Sequence, residues 1–498
     1  MTITVRRSSA EILAHPSRVI SRPFDPGHDG LIRGRSRSQG VIERVLAMTE
    51  CDVLQTLGET LALYSNRHDD LRATFRRHFE LIAHPSVTAH PNYSQERAEL
   101  VGAYFTQEYS IEGAALFNPS IVIAPDQSGC GENEVRFILS LRAVGEGHLS
   151  SIEFRSGVLG AADSVVLDPP SPHLTTGEHS QAPIPCELLR AALHQSGESA
   201  AIDGLLQSVP QEFTVEAFER VLESPECEQV PADARAVAMA ALRRIADASY
   251  ELVFSQTSKL SERVIFPGTA AESHGLEDAR FIQFLDDDGG STYLGTYTAY
   301  DGVSVRPHLL QTDDFRTFRI SPMLGEAAQD KGMALFPRKI NGDMWCLSRW
   351  DRENISIARL ERTTGWSRPQ VVQAPHQPWE LIKLGACSSP IETPAGWLVL
   401  THGVGPMRTY AIGALLLDLD DPSKVIGVLA EPLLMPAETE RDGYVPNVVY
   451  SCGALVHKGT LVLPYGCSDA SVRFAFVELA DILASLLAQS QGIEEAVS

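Results

Sequence analysis

Apolar residues between about 40 and 83 keep a helical beat. Leu54, Leu57, Leu61 and Tyr64 fall at i, i+3, i+7 and i+10, and Leu71, Phe75, Phe79 and Ile82 at i, i+4, i+8 and i+11. A period near 3.6 puts each set on one face, so the spacing predicts two amphipathic helices broken near Asn66. After Phe117 the pattern turns to strands, over 120–124, 134–142 and 149–155. A Pro-rich linker at 169–185 leads into a second helical stretch, with helices predicted over 186–193, 214–222 and 232–254. Strand signals resume at 279–285 and 291–300 and recur at 344–349, 354–360, 396–402, 410–417, 447–450 and 460–465. Turn signals such as Asp288-Gly289-Gly290 and Asn341-Gly342-Asp343 separate them. Residues 1–38, rich in Arg, Ser, Pro and Gly, read as a surface arm, and 486–498 as a frayed tail.

A phrase returns through the strand-forming regions: Asn118-Pro119-Ser120-Ile121, Phe336-Pro337-Arg338, Ser389-Pro390-Ile391 and Val445-Pro446-Asn447, with Glu277-Asp278-Ala279-Arg280 filling one more place. Measured on the Pro of each phrase and on Ala279, the steps are 160, 58, 53 and 56 residues. A repeat of this length predicts propeller blades, and the long first step is one blade plus the helical insertion. The expected architecture is all-β, a five-bladed propeller with an N-terminal helical extension and a helical insertion. Its segments are 1–100 (arm and extension), 101–170 (first blade), 171–270 (insertion), 271–485 (remaining blades) and 486–498 (tail).

Composition narrows the function. The 498 residues carry a formal charge of −23, which opposes binding to nucleic acid or anionic membranes through Lys and Arg. Basic residues that converge in so acidic a chain need a local reason. The eight cysteines are scattered without metal or redox spacing, and there is no long apolar run, so a reduced, cytoplasmic, membrane-free protein is expected.

The stretch Gly275-Leu276-Glu277-Asp278-Ala279-Arg280 sets two carboxylates and a guanidinium at a strand start. A carboxylic acid beside a sugar can protonate a leaving glycosidic oxygen; a turn-capping Asp paired with an Arg gives the same pattern without chemistry. Arg142, Lys331, Arg349 and His402 lie at strand ends or at the repeated phrase. Singly each reads as a solvated charge, but together they make a site for a dianion such as phosphate. Tyr410, Tyr465 and Trp397 pack either a sugar face or the core, and Asp469 binds hydroxyls or caps a turn. Asp286-Asp287-Asp288 and Asp418-Leu419-Asp420-Asp421 lack EF-hand spacing, so no metal is expected. P-loop, zincin and nucleophile-elbow signatures are missing from the sequence.

Across 115–165 and 272–475 the chain resembles glycoside hydrolase family 130, the β-mannoside phosphorylases and related β-mannosidases. The resemblance is carried by Gly396-Trp397-Leu398, His402-Gly403-Val404, Tyr410, Leu416 through Pro422, Pro432-Leu433-Leu434 and Val445 through Val449. It implies a five-bladed propeller in which Asp278, matching the Asp of a Glu-Asp-Pro-Arg phrase, is the general acid, acting through the mannose 3-hydroxyl. It also implies phosphate held by Arg142, Lys331, Arg349, His402 and Tyr410, and Asn118, Arg280 and Asp469 contacting the sugar or shaping the site. The chain departs from the pattern at Ala279, where the family has Pro, and at Ser348-Arg349-Trp350, where it has His-Arg-Pro.

The expectation is therefore a glycosyltransferase-type phosphorylase that performs inverting phosphorolysis of β-mannosides, with inorganic phosphate as co-substrate and no other cofactor. Its partners are the mannoside, phosphate and, through the helical additions, a second copy of the chain. The alternatives are a β-mannosidase using water, with Glu392 as the first candidate base, and a sugar-binding propeller without catalysis.

Overall fold

The computed structural model describes residues 3–27, 36–82, 88, 90–195, 197, 206, 209–224, 227, 230–362 and 364–497. The chain divides into a large unit, Met1–Ala14 with Ala114–Pro170 and Thr176–Ser498, and a small one, His15–Gly113 with Ser171–Thr175.

Among the described residues of the large unit are five antiparallel sheets of five or six strands each. The first contains Ala115–Ile123, Val135–Val144 and Ser150–Leu159, and the second Leu276–Leu285, Ser291–Tyr300, Val305–Thr312 and Thr317–Pro322. The third contains Ala334–Leu335, Trp345–Ser348 and Ile355–Glu361, and the fourth Lys383–Ala386, Gly396–Val404 and Tyr410–Leu417. Val449–Tyr450, Thr460–Cys467 and Ser471–Glu478 belong to the fifth. Each repeated phrase lies in, just after or just before the first of these strands, which is the physical meaning of the repeat.

Hydrogen bonds tie the sheets in succession. Phe281 N donates to Ser120 Oγ (3.0 Å) between the first and second, and Leu285 N to Pro337 O (2.8 Å) between the second and third. Leu384 N donates to Glu353 O (2.9 Å) and Tyr410 N to Asn447 O (3.0 Å) between the next pairs, and Cys452 N to Pro119 O (2.8 Å) links the fifth sheet to the first. Apolar side chains such as Phe154, Phe281, Phe315 and Phe318 between the first and second sheets, and Leu398, Leu416, Leu463 and Val477 between the fourth and fifth, fill the space between layers.

Several expectations are corrected here. Part of the presumed arm, Arg6–Leu13, is a strand paired with Ser471–Glu478, where it covers an otherwise open edge of the fifth sheet. The helix expected over 232–254 ends at Ala246, and Tyr250–Val253 joins the second sheet between Thr317–Pro322 and Glu178–Gln181. The presumed frayed tail carries the helix Leu479–Val497, whose Ile482 and Leu486 are buried. Within the insertion, the helices Cys186–Gln195, Val215–Leu222 and Ala232–Ala246 share a core of Leu189, Leu193, Phe218 and Leu242. Residues 28–35 of the expected arm lie outside the described part.

The small unit holds the helices Arg37–Leu46, Glu50–Tyr64, Leu71–Ile82 and Gln95–Tyr104 and a two-stranded sheet of Val19–Pro23 with Thr106–Ser110. Ser36, Thr49 and Ser94 cap the first, second and fourth helices by accepting from backbone N–H groups. The buried face of Glu50–Tyr64 is centred on Val53 and Leu57, so Leu54 and Tyr64, expected in the apolar stripe, are exposed. Gly102 lets two helices meet, since a Cβ there would lie 1.9 Å from Phe75 O.

Candidate functional site

Where the repeated phrase meets the first two sheets, each strand carries a bulge. The register shifts between Phe117 and Ser120 and between Glu277 and Arg280, and Asn118 and Asp278 take left-handed φ angles of 50° and 56°. Bulges of this kind turn a side chain out of the alternating pattern. Here both point to one place: Asn118 Nδ2 donates to Asp278 Oδ1 at 2.6 Å.

Around that contact is a cavity of about 230 Å³ lined by Phe117, Asn118, Arg142, Asp278, Lys331, Arg349, Lys383, His402, Arg408, Tyr410, Val445, Val448, Tyr450 and Asp469. Second strands of four sheets end here, contributing Arg142, Arg349, His402 and Asp469 from within or just beyond them. Five cations thus face two carboxylates in a chain of net charge −23.

The cations are held by a scaffold of acids. Arg142 donates through Nη1 to Asp278 Oδ1 (3.3 Å) and through Nη2 to Glu277 Oε1 (2.8 Å), and Lys331 Nζ pairs with Glu277 Oε2. Arg349 Nη2 donates to Asp330 Oδ2 at 3.4 Å and its Nη1 to His402 Nε2 at 3.0 Å. Lys383 and Arg408 stand over the Tyr410 ring, 5.5 and 5.9 Å from its centroid. Gly385 leaves room for the pair behind: a Cβ there would be 2.5 Å from His402 Cε1 and 3.2 Å from Arg349 Nη1.

Two corrections concern sequence-derived site residues. Arg280 does not line the cavity; it is buried beneath it, donating to Asp278 O (3.1 Å) and Tyr450 Oη (2.7 Å). His402, counted among the potentially cationic groups, adds no positive charge. It is 3% exposed, and Arg349, which can only donate, makes its Nε2 an acceptor. Burial first, then Arg349, Lys383 and Arg280, push its pKa well below the ordinary imidazole value.

The two cavity carboxylates differ. Burial alone would push Asp278 up, but Arg142, Arg280, the Asn118 amide and Lys331 together hold it below the usual carboxylate range. Asp469, also at a left-handed φ (52°), is pushed up to about 6, by burial first and then by Asp278, against Arg142 and Arg408.

Asn118, Arg142, Asp278, Lys331, Arg349, His402, Tyr410 and Asp469 are thus brought to one cavity. Sequence reasoning missed Lys383 and Arg408. Lys383 was detectable, because it precedes Pro390 by nearly the interval at which Lys331 precedes Pro337; Arg408 sits in a turn with no sequence signal. Tyr465 and Trp397 belong to the core, their polar atoms donating to Glu440 and to Leu419 O. Glu392 lies away from the cavity, bound by both nitrogens of the Arg338 fork at 2.7 and 2.8 Å. Among the described residues no three His, Cys, Asp or Glu side chains gather as for a metal ion, and no helix is long and apolar enough to cross a membrane.

Sheet frame and cavity together define a β-sheet protein with a cation-walled, carboxylate-bearing pocket. The family model of glycoside hydrolase family 130, described as beta-1,4-mannooligosaccharide phosphorylase, matches residues 242–487. A 1,2-beta-oligomannan phosphorylase of Thermoanaerobacter sp. (strain X514) is 35% identical over 236 residues, 45% of this chain and 75% of that protein. A beta-1,2-mannobiose phosphorylase of Listeria innocua serovar 6a is 32% identical over 230 residues, 45% of this chain and 63% of that one. A solved structure of Beta-1,2-Mannobiose phosphorylase from Listeria innocua with beta-1,2-mannobiose aligns over 75% of this chain and 92% of its own, at 23% identity and a TM-score of 0.44. The chain belongs to glycoside hydrolase family 130.

Proposed function

We propose that the chain is a β-mannoside phosphorylase built on a five-bladed propeller, converting a β-mannoside and phosphate to α-mannose 1-phosphate and a shortened acceptor. The fold reading is supported by five sheets tied in succession, the fifth to the first. One observation carries the functional reading: five cations surround a carboxylate pair in a single cavity of an acidic chain. Charge-assisted hydrogen bonds from Arg142, Lys331, Arg349, Lys383 and Arg408 offset the desolvation of a phosphate, and Tyr410 is held in place by two of them.

In the reaction a phosphate oxygen attacks the anomeric carbon from the face opposite the acceptor. The bond to the acceptor oxygen breaks, and that oxygen takes a proton originating at Asp278 and relayed through the mannose 3-hydroxyl. Phosphate is the nucleophile, so no second carboxylate acts as base, and fixing it in line replaces a bimolecular encounter. Against burial, Arg142, Arg280, the Asn118 amide and Lys331 favour ionised Asp278; phosphate paired with Arg142 and Lys331 offsets their charge and raises the proton affinity of Asp278, which then takes up the proton it delivers. The anion thus primes the acid it works with.

Two disaccharides, β-1,2- and β-1,4-mannobiose, incubated with and without phosphate and followed for mannose 1-phosphate, test this. Phosphate-dependent release of mannose 1-phosphate, abolished in Asp278→Asn, is expected. Free mannose formed equally fast without phosphate would make the protein a hydrolase, and binding without turnover would make it a sugar receptor.

A further inference from the structure

Two turns of the chain are near copies. Residues 145–149 join the second and third strands of the first sheet, and 405–409 join those of the fourth. Gly145 and Gly405 have φ, ψ of −106°, −157° and −108°, −161°, and Gly147 and Met407 have 69°, 17° and 57°, 23°. Each turn is closed by a bond from its first N–H to its fifth carbonyl, 3.1 and 3.0 Å long. His148 and Arg408 occupy the same place, both at left-handed φ angles (59° and 57°) that non-glycine residues adopt at a cost. Arg408 reaches the cavity wall. His148, its counterpart, is exposed and hydrogen-bonds through Nδ1 to Tyr444 Oη at 2.6 Å, with ring centroids 6.0 Å apart. Tyr444 is 49% exposed and immediately precedes Val445, which lines the cavity.

At about 230 Å³ the cavity is smaller than the roughly 300–1,000 Å³ usual for a small-molecule site, so one sugar ring beside an oxyanion fills it. The second ring of a disaccharide must therefore lie outside, where chain neighbours of the lining residues stand. We infer that the His148–Tyr444 pair is the platform for the acceptor sugar, a specificity-determining contact that deepens, and rests on, the phosphorolytic reading. Tyr444 offers an amphipathic ring face to the C–H side of the sugar, at low cost in side-chain freedom. Its hydroxyl is tied to His148 Nδ1, which fixes both rings and leaves His148 Nε2 to meet a sugar hydroxyl.

The test is the synthetic reaction from α-mannose 1-phosphate with mannose, mannobiose or N-acetylglucosamine as acceptor. Tyr444→Ala and His148→Ala are each expected to raise the acceptor KM about tenfold while the KM for mannose 1-phosphate moves less than twofold, and Tyr444→Phe should recover most of the affinity. An acceptor KM that is unchanged in both alanine variants, or two KM values that rise together, would overturn the platform and leave the phosphorolytic reading intact. Should the wild type lack phosphate-dependent turnover, that reading falls, and calorimetric titration with β-mannobiose and mannose still decides the platform. It stands if Tyr444→Ala weakens mannobiose tenfold and mannose less than twofold, and it falls if the two change equally or not at all.

Discussion

Replacing Asp469 by Asn should make the protein more stable at alkaline pH and leave it unchanged in acid. The carboxyl is pushed up to about 6 from 3.8 in the folded chain. Below the unfolded value both states hold the proton and the group contributes nothing. Between the two values the folded state binds more protons than the unfolded, so stability falls as pH rises, and above about 6 the loss levels off. A gap of about 2 pKa units at ~1.4 kcal/mol each amounts to about 3 kcal/mol at pH 8. At ~2.1 cal/mol/K per residue, 498 residues give an unfolding entropy near 1 kcal/mol/K, so the expected gain is about 3 °C in Tm. Scanning calorimetry of the variant and wild type from about pH 4 to about pH 8 should give a difference that grows from zero to that value. Asp278→Asn should have the opposite sign at neutral pH, because it removes a carboxylate that the half-buried Arg142 and the buried Arg280 favour. A Tm difference for Asp469→Asn that is flat with pH, or negative at pH 8, would refute the argument that burial and Asp278 load this carboxyl with a proton.

His402→Phe, which removes the acceptor of Arg349 Nη1, should raise the phosphate KM about tenfold, a loss of ~1.4 kcal/mol, while His402→Gln recovers part of it; initial rates at varied phosphate read this. Glu392→Gln should leave turnover within about twofold of wild type, since this exposed carboxylate is bound to Arg338 away from the cavity. Gly102→Ala should destabilise the small unit by about 1 to 3 kcal/mol through the clash with Phe75 O, seen as faster limited proteolysis within 36–104 and a fall in Tm.

The chain reveals its repeats because each sheet carries the same phrase in or beside its first strand. Proline fixes its own φ and removes a donor, so Pro119, Pro337, Pro390 and Pro446 mark four of the five places and can be counted in one dimension. The polar ends of strands, Arg142, Arg349 and His402, could be found in one dimension because an apolar strand pattern ends in a polar residue where the strand meets solvent or a site. Periodicity failed where two phases fit equally well, as in the helix Glu50–Tyr64, whose buried face runs through Val53 rather than Leu54. It also failed for Arg6–Leu13, whose strand state depends on a partner 460 residues away in sequence, at Ser471–Glu478.

The one-dimensional pattern carried the repeated phrase, several of the helical segments and the residues able to bear charge, all set by local backbone preference and side-chain type. Tertiary structure alone decided what state those groups are in. His402 becomes neutral because it is buried and Arg349 donates to it, Arg280 supports Asp278 from beneath, and two aspartates in one cavity separate in proton affinity because one faces cations while the other is raised by burial and then by its neighbour's charge. Charge and proton affinity depend on distances between residues far apart in the chain, through Coulomb attraction and the loss of water, and no local pattern encodes those distances.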